Sequence, residues 1–172
     1  MSPDCKFTAT LMSGADGRVP QKEAMEELEK WWKGGNYHAT ILACCGSGKT
    51  MKGIFAAVSI LHKKALLLSH RREILNYWDE TIRGEHSLLS QTATTPGARI
   101  GYVRTCASVG NIATQSIRMT FQVRQKRCET KDVDFILASC QTIIRRNIDF
   151  SDVGLVIFDE AHLAAADTFY QR

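Results

Sequence analysis

Ala43-Cys44-Cys45-Gly46-Ser47-Gly48-Lys49-Thr50 lies between two apolar segments of different character. Before it runs a short continuous apolar stretch, Tyr37 to Leu42. After it, Met51, Ile54, Phe55, Val58 and Leu61 recur at helical spacing. Strand, glycine-containing loop, Lys-Thr, helix is the context in which such a loop binds phosphate. Glycines let the backbone curl so that successive N–H groups converge on an anion. The helix starting near Lys49 adds its positive dipole end at the same place. Cys44, Cys45, Gly46, Ser47 and Gly48 would supply the cradle, and Lys49 would neutralise the β- and γ-phosphates. The Thr50 hydroxyl would ligate Mg²⁺. The plain alternative is a glycine turn that happens to precede Lys-Thr. One departure from the usual Gly-x4-Gly-Lys-Thr is visible, because Ala43 stands at its first position.

A phosphate loop needs a partner acid. Val153-Gly154-Leu155-Val156-Ile157-Phe158 is the most strand-like run in the chain, and it ends in Asp159-Glu160-Ala161-His162. We expect Leu155 to Phe158 to be buried in the centre of the sheet. The carboxylates would then project from the strand's C-terminal end, where open α/β sheets place ligands. Asp159 is the candidate Mg²⁺ holder, through water. Glu160 is the candidate for orienting and polarising an attacking water, with Lys49 assisting at the phosphates. Read alone, two adjacent acids at a strand end could be an exposed turn.

The rest of the chain alternates in the same manner. Residues 1–19 hold few apolar residues and several breakers, and read as a loose lead-in. From Gln21, the residues Ala24, Met25, Leu28, Trp31 and Trp32 share a helical face, and Gly34-Gly35-Asn36 stops that helix. A helix over 50–62 follows the loop. Ala65-Leu66-Leu67-Leu68-Ser69 is a continuous apolar run, as expected of a strand covered on both faces. It leads into His70-Arg71-Arg72-Glu73 and a second helical pattern through Ile74, Leu75, Trp78 and Ile82. Residues 84–98 read as a loop, 99–103 as a short strand and 134–139 as another. Between them, Ile117, Met119, Phe121 and Val123 alternate with Arg118, Thr120, Gln122 and Arg124. That is a half-exposed strand with a basic outer face. It could face nucleic acid or be an edge strand guarded by charge; the second reading is preferred. Strands alternating with helices give an α/β fold with a largely parallel sheet flanked by helices.

Composition narrows the class. The 172 residues suit one domain, and 44% hydrophobic with 23% charged residues is ordinary for a globular protein. A net charge of +4 permits a nucleic-acid partner without requiring one. The six cysteines show no metal-finger spacing and read as reduced thiols. No signal core precedes the domain, and no apolar run approaches the roughly 18 residues that cross a bilayer. A soluble protein of the cytoplasm or nucleus, without a membrane partner, is the expectation.

At this point the chain resembles a family. Gly46-Ser47-Gly48-Lys49-Thr50 and Asp159-Glu160-Ala161-His162 look like motifs I and II of superfamily 2 helicases and translocases of DEAH type. Ser69-His70-Arg71-Arg72-Glu73-Ile74-Leu75 resembles motif Ia. Ala138-Ser139-Cys140-Gln141-Thr142 resembles the Ala-Ser-x-Gln-Thr motif of the branch holding type I and III restriction translocases and UvrB-like repair helicases. Arg18-Val19-Pro20-Gln21 is a weaker match to the upstream glutamine motif that reads adenine, and lacks its neighbouring aromatic.

The resemblance implies a RecA-like phosphate-loop domain over 20–172 that binds ATP and Mg²⁺. It also implies nucleic-acid backbone contacts by His70, Arg71, Arg72, Gln141 and Thr142, with DNA ahead of RNA, and a coupling role for His162. A transporter or metabolic kinase has no reason to carry the motif Ia and Gln-Thr stretches.

The family's motor has two such lobes, and the sequence stops soon after motif II. The strand that carries motif III in the family lies between the phosphate-loop strand and the Asp-Glu strand. The sheet is therefore expected to be incomplete and the chain a fragment, with little activity alone and its second lobe elsewhere. The competing expectation is a binding module that regulates without hydrolysing.

Overall fold

A computed structural model describes residues 1–16, 20–85, 95–103, 130–145 and 148–162. The elements are α1 (Gln21–Lys33), α2 (Lys49–Phe55), β1 (Ala65–Ser69), α3 (Arg72–Arg83), β2 (Ile100–Val103), β3 (Phe135–Ser139), α4 (Cys140–Arg145) and β4 (Leu155–Phe158). The four strands form one parallel sheet in the order β2-β3-β1-β4. The α/β class expected from the alternation is the class observed. The basic alternating stretch 117–124 and the last ten residues lie outside the described residues.

The continuous apolar runs are explained by a core on each side of the sheet. Ala65, Leu67, Phe135 and Leu137 point to one side and pack with Ile54, Ala57, Val58, Trp78 and Ile82 from the α2 and α3 segments. Leu66, Ile136, Ala138 and Val103 point to the other, against Ile143, Ile148, Phe150 and Val153. A strand with both faces covered has no need of polar alternation. Each fully buried leucine or isoleucine here contributes about 1.5–3 kcal/mol.

The helices follow their apolar spacing. α1 buries Met25 and Leu28 against Ala56 and stops at Gly34, followed by Gly35 at φ +83°. α2 runs on into a π-helical segment, Ala56–Leu61. α3 is fastened to β2 through polar groups. The Tyr102 hydroxyl donates to Asp79 Oδ1 at 2.6 Å and accepts from Arg83 Nη2 at 3.0 Å. Burial and the Asp79 contact push the phenol up to about 12.

Three expectations fail. Residues 37–42 form no strand, and Tyr37 and Leu42 are 87% and 93% exposed. A parallel strand needs a hydrogen-bonded neighbour, and among the described residues β4 pairs with β1 alone. For the same reason β4 lies at the end of the strand order rather than in the centre, and Val156 is exposed.

The described part of 1–19 is also far from loose. Cys5 is buried, and Met1 and Phe7 pack on the β1–β3 core. The Ser2 backbone N–H and hydroxyl both donate to Asp134, which is fully buried and also accepts from the Arg99 N–H at 3.0 Å. Burial alone would raise the Asp134 carboxyl, but the bonds from Ser2 and Arg99 outweigh it and hold the group below its usual range. Gly97, at φ +73°, lets the strap pass, because a Cβ there would sit 2.4 Å from the Asp4 carbonyl oxygen.

Candidate nucleotide site

The sheet register brings the motifs to one edge. Ser69 pairs with Ser139 and Leu68 pairs with Phe158, all in parallel strands. The residues that follow each strand therefore emerge together: His70 to Arg72 after β1, Cys140 to Thr142 after β3, and Asp159 to Glu160 after β4. The C-terminal edge of a parallel sheet is where α/β folds bind ligands.

The loop before α2 has the curl that its glycines suggest. Gly46 and Gly48 stand at φ +77° and +73°, in the left-handed region. The Gly48 carbonyl accepts from the Lys52 N–H at 3.0 Å and starts the helix. Ala43 is not among the residues of positive φ, so its conformation does not call for the glycine usual at that position. The Lys49 ammonium donates to the carbonyls of Ala43 at 3.1 Å and Cys44 at 3.4 Å. Lys49 is thus folded back on its own loop, with no carboxylate within salt-bridge distance among the described residues. Burial, and then the charge of Lys49, lower the Lys52 ammonium below its usual range. Cys44 and Cys45 are exposed free thiols.

Asp159 and Glu160 meet this loop across a cleft of about 1120 Å³, lined by Gly46, Lys49, Thr50, Asp159, Glu160 and others. The Asp159 N–H continues the β4–β1 ladder to the Leu68 carbonyl at 3.0 Å. Its Oδ1 accepts from the Glu160 N–H at 3.0 Å, and its Oδ2 from Trp78 Nε1 at 2.8 Å. Glu160 adopts φ +58°, a conformation that costs a non-glycine residue energy and that clusters at functional sites. His162 Nδ1 lies 3.2 Å from Glu160 Oε2.

The residues fit a nucleotide with Mg²⁺. The loop offers left-handed glycines and an ammonium on the cleft, and the buried Ser47 hydroxyl has no partner among the described residues. Thr50 and Asp159 are hard oxygen donors on one cleft. No group of three or more His, Cys, Asp or Glu that could cage a metal occurs among the described residues.

Other expected residues fall differently. Gln21 is buried, and its amide is engaged at both ends: Nε2 donates to the Ser47 carbonyl at 3.3 Å and Oε1 accepts from the Met12 N–H at 3.1 Å. It braces the loop before α2 and also lines the cleft described above. A side chain at Gly48 would collide with it, the Cβ lying 2.2 Å from Gln21 Nε2. Arg71, Arg72 and Gln141 are exposed, as a backbone contact needs. Thr142 is 2% exposed, with its hydroxyl 2.7 Å from Ser139 Oγ. It shapes the turn after β3 instead of presenting a donor. His70 is half-buried, and its Nε2 has no partner among the described residues.

Sequence reasoning missed the segment 9–13, Glu73 and Tyr77, which also line the cleft. It also missed the Trp78 bond. The first segment carries no motif, and Trp78 was legible only as one of several apolar helix positions.

No helix among the described residues is long and apolar enough to cross a membrane. No curated protein and no solved structure matches the chain significantly. A model of the family "Type III restriction enzyme, res subunit" matches residues 15–172. The chain belongs to that family, whose matched region is an ATP-binding domain of the superfamily 2 helicase type.

Proposed function

We propose that the chain is the ATP-binding lobe of a nucleic-acid-dependent motor of DEAH type, acting on DNA ahead of RNA. The observation that carries this reading is the shared cleft, on which Lys49 and Thr50 meet Asp159 and Glu160 from the far end of the sequence. Residues 44–50 would hold the triphosphate, with Lys49 leaving its loop carbonyls for the β- and γ-phosphates. Mg²⁺, held by Thr50 and through water by Asp159, would supply neutralisation of phosphate charge. Glu160 would accept a proton from the attacking water, with His162 setting its orientation. Arg71, Arg72 and Gln141 would bind the nucleic-acid backbone at the neighbouring strand ends. A second lobe of the same fold would supply the other wall of the site.

One observation favours a second reading, in which the chain binds without turnover. Lys49 is spent on its own loop. It must let go before chemistry, and a partner lobe or nucleic acid is the natural trigger. The test is ATP binding together with nucleic-acid-stimulated phosphate release. Lys49→Ala abolishes binding under either reading, so retained binding refutes the site. Glu160→Gln keeps binding and lowers release by about 10²–10⁴-fold under the first reading. Binding without any release by the native chain leaves the second.

A further inference from the structure

Trp78 touches two of the elements that build the site. It is 2% exposed in the middle of α3. The six-membered edge of its ring lies against Gly53 of α2, where a Cβ would come within 2.5 Å of Trp78 Cη2 and 3.4 Å of Ile157 Cδ1. At the other end of the indole, Nε1 donates to Asp159 Oδ2 at 2.8 Å. The ring is therefore wedged between the helix that begins with Lys49 and the strand that delivers Asp159. A buried indole N–H needs an acceptor, and a carboxylate is the strongest one a protein offers.

The same bond acts on the carboxylate. The terminal torsion of an aspartate is broad and poorly defined by its own rotamer preference. A carboxylate has about four lone-pair positions. The Glu160 N–H takes one on Oδ1 and Trp78 takes one on Oδ2, which sets the plane of the group and leaves a position on each oxygen for the cleft.

We propose that Trp78 is a positioning residue for the metal carboxylate: by holding Asp159 from behind it sets the site's affinity for Mg²⁺. This rests on the nucleotide-site reading above. Trp78 does not touch nucleotide or metal, and it acts only through Asp159.

Calorimetric titration of the full chain with Mg²⁺ in the presence of ADP tests it, native against Trp78→Phe. Phenylalanine keeps an aromatic ring in the core and removes the N–H. The expected result is an Mg²⁺ affinity lower by about tenfold, the scale on which a metal site responds to loss of a partner behind its ligand. ADP affinity in EDTA stays unchanged. A purely structural role would weaken both titrations together, and that outcome, or an unchanged Mg²⁺ affinity, overturns the proposal.

A second measurement leaves Trp78 in place. With Trp31 and Trp32 changed to Phe, the indole N–H proton resonance of the remaining tryptophan shifts when Mg²⁺ is added to the ADP complex. A resonance that stays put overturns the proposal even if Trp78→Phe does not fold. Absence of ADP binding by the native chain overturns the nucleotide site itself, and this inference with it.

Discussion

β3 and β4 are both short apolar strands of one parallel sheet, yet their surroundings are opposite. β3 has a strand on each side, and Phe135 and Ile136 are 0% exposed. β4 has β1 on one side, and Val156 is 57% exposed. The loop before α2 borders the cleft with Asp159 and Glu160 after β4, and it follows a stretch, 37–42, that forms no strand among the described residues. Stability is thus concentrated at β1 and β3, and the candidate chemistry sits at the less enclosed flank.

The contrast can be broken by measurement. Leu137→Ala removes a side chain that is 3% exposed at the sheet centre. It should cost about 2–5 kcal/mol in denaturant unfolding. A cost below about 1 kcal/mol would mean that the β1–β3 core does not dominate.

The next largest effect concerns the strap. Burial, and then the charge of Asp134, raise the Cys5 thiol from 9.0 to about 11. The folded chain keeps the thiol neutral where the unfolded chain ionises it. The stabilisation is therefore complete below pH 9.0 and is lost as pH rises toward about 11. The loss is about 2–3 kcal/mol, read as a falling unfolding free energy that becomes shallower in Cys5→Ala. An equally steep fall in Cys5→Ala would show that the strap leaves the core before its thiol titrates.

The smallest effect is the sharpest comparison with Leu137. Val156→Ala should change stability by less than about 0.5 kcal/mol. A cost near that of Leu137→Ala would show that something covers this face of β4 in solution.

Much of this was legible in the residues. The runs 65–69 and 134–139 announce buried strands because they are apolar without alternation, and strands are found at Ala65–Ser69 and Phe135–Ser139. Gly46-Ser47-Gly48-Lys49-Thr50 announces its own curl, because left-handed backbone is what glycine permits. The strand expected at 37–42 was not decidable from its own residues. An apolar run states a preference for burial, and a strand also needs an edge to bind. Residues 1–16 were misread for the converse reason, since Ser2 finds its acceptor at Asp134, 132 positions along the chain.

The sequence by itself determined the class of fold, the curl of the loop at Gly46 and Gly48 and the place of the two acids, 159–160, at a strand end. These depend on local rules: backbone freedom of glycine, periodicity of apolar side chains, charge at a strand end. Only the tertiary structure decided that Gln21 props the loop, that Thr142 faces inward and that Trp78 holds Asp159. Each of these rests on a hydrogen bond whose direction is set by packing, and packing joins residues that the sequence keeps apart or gives no reason to connect.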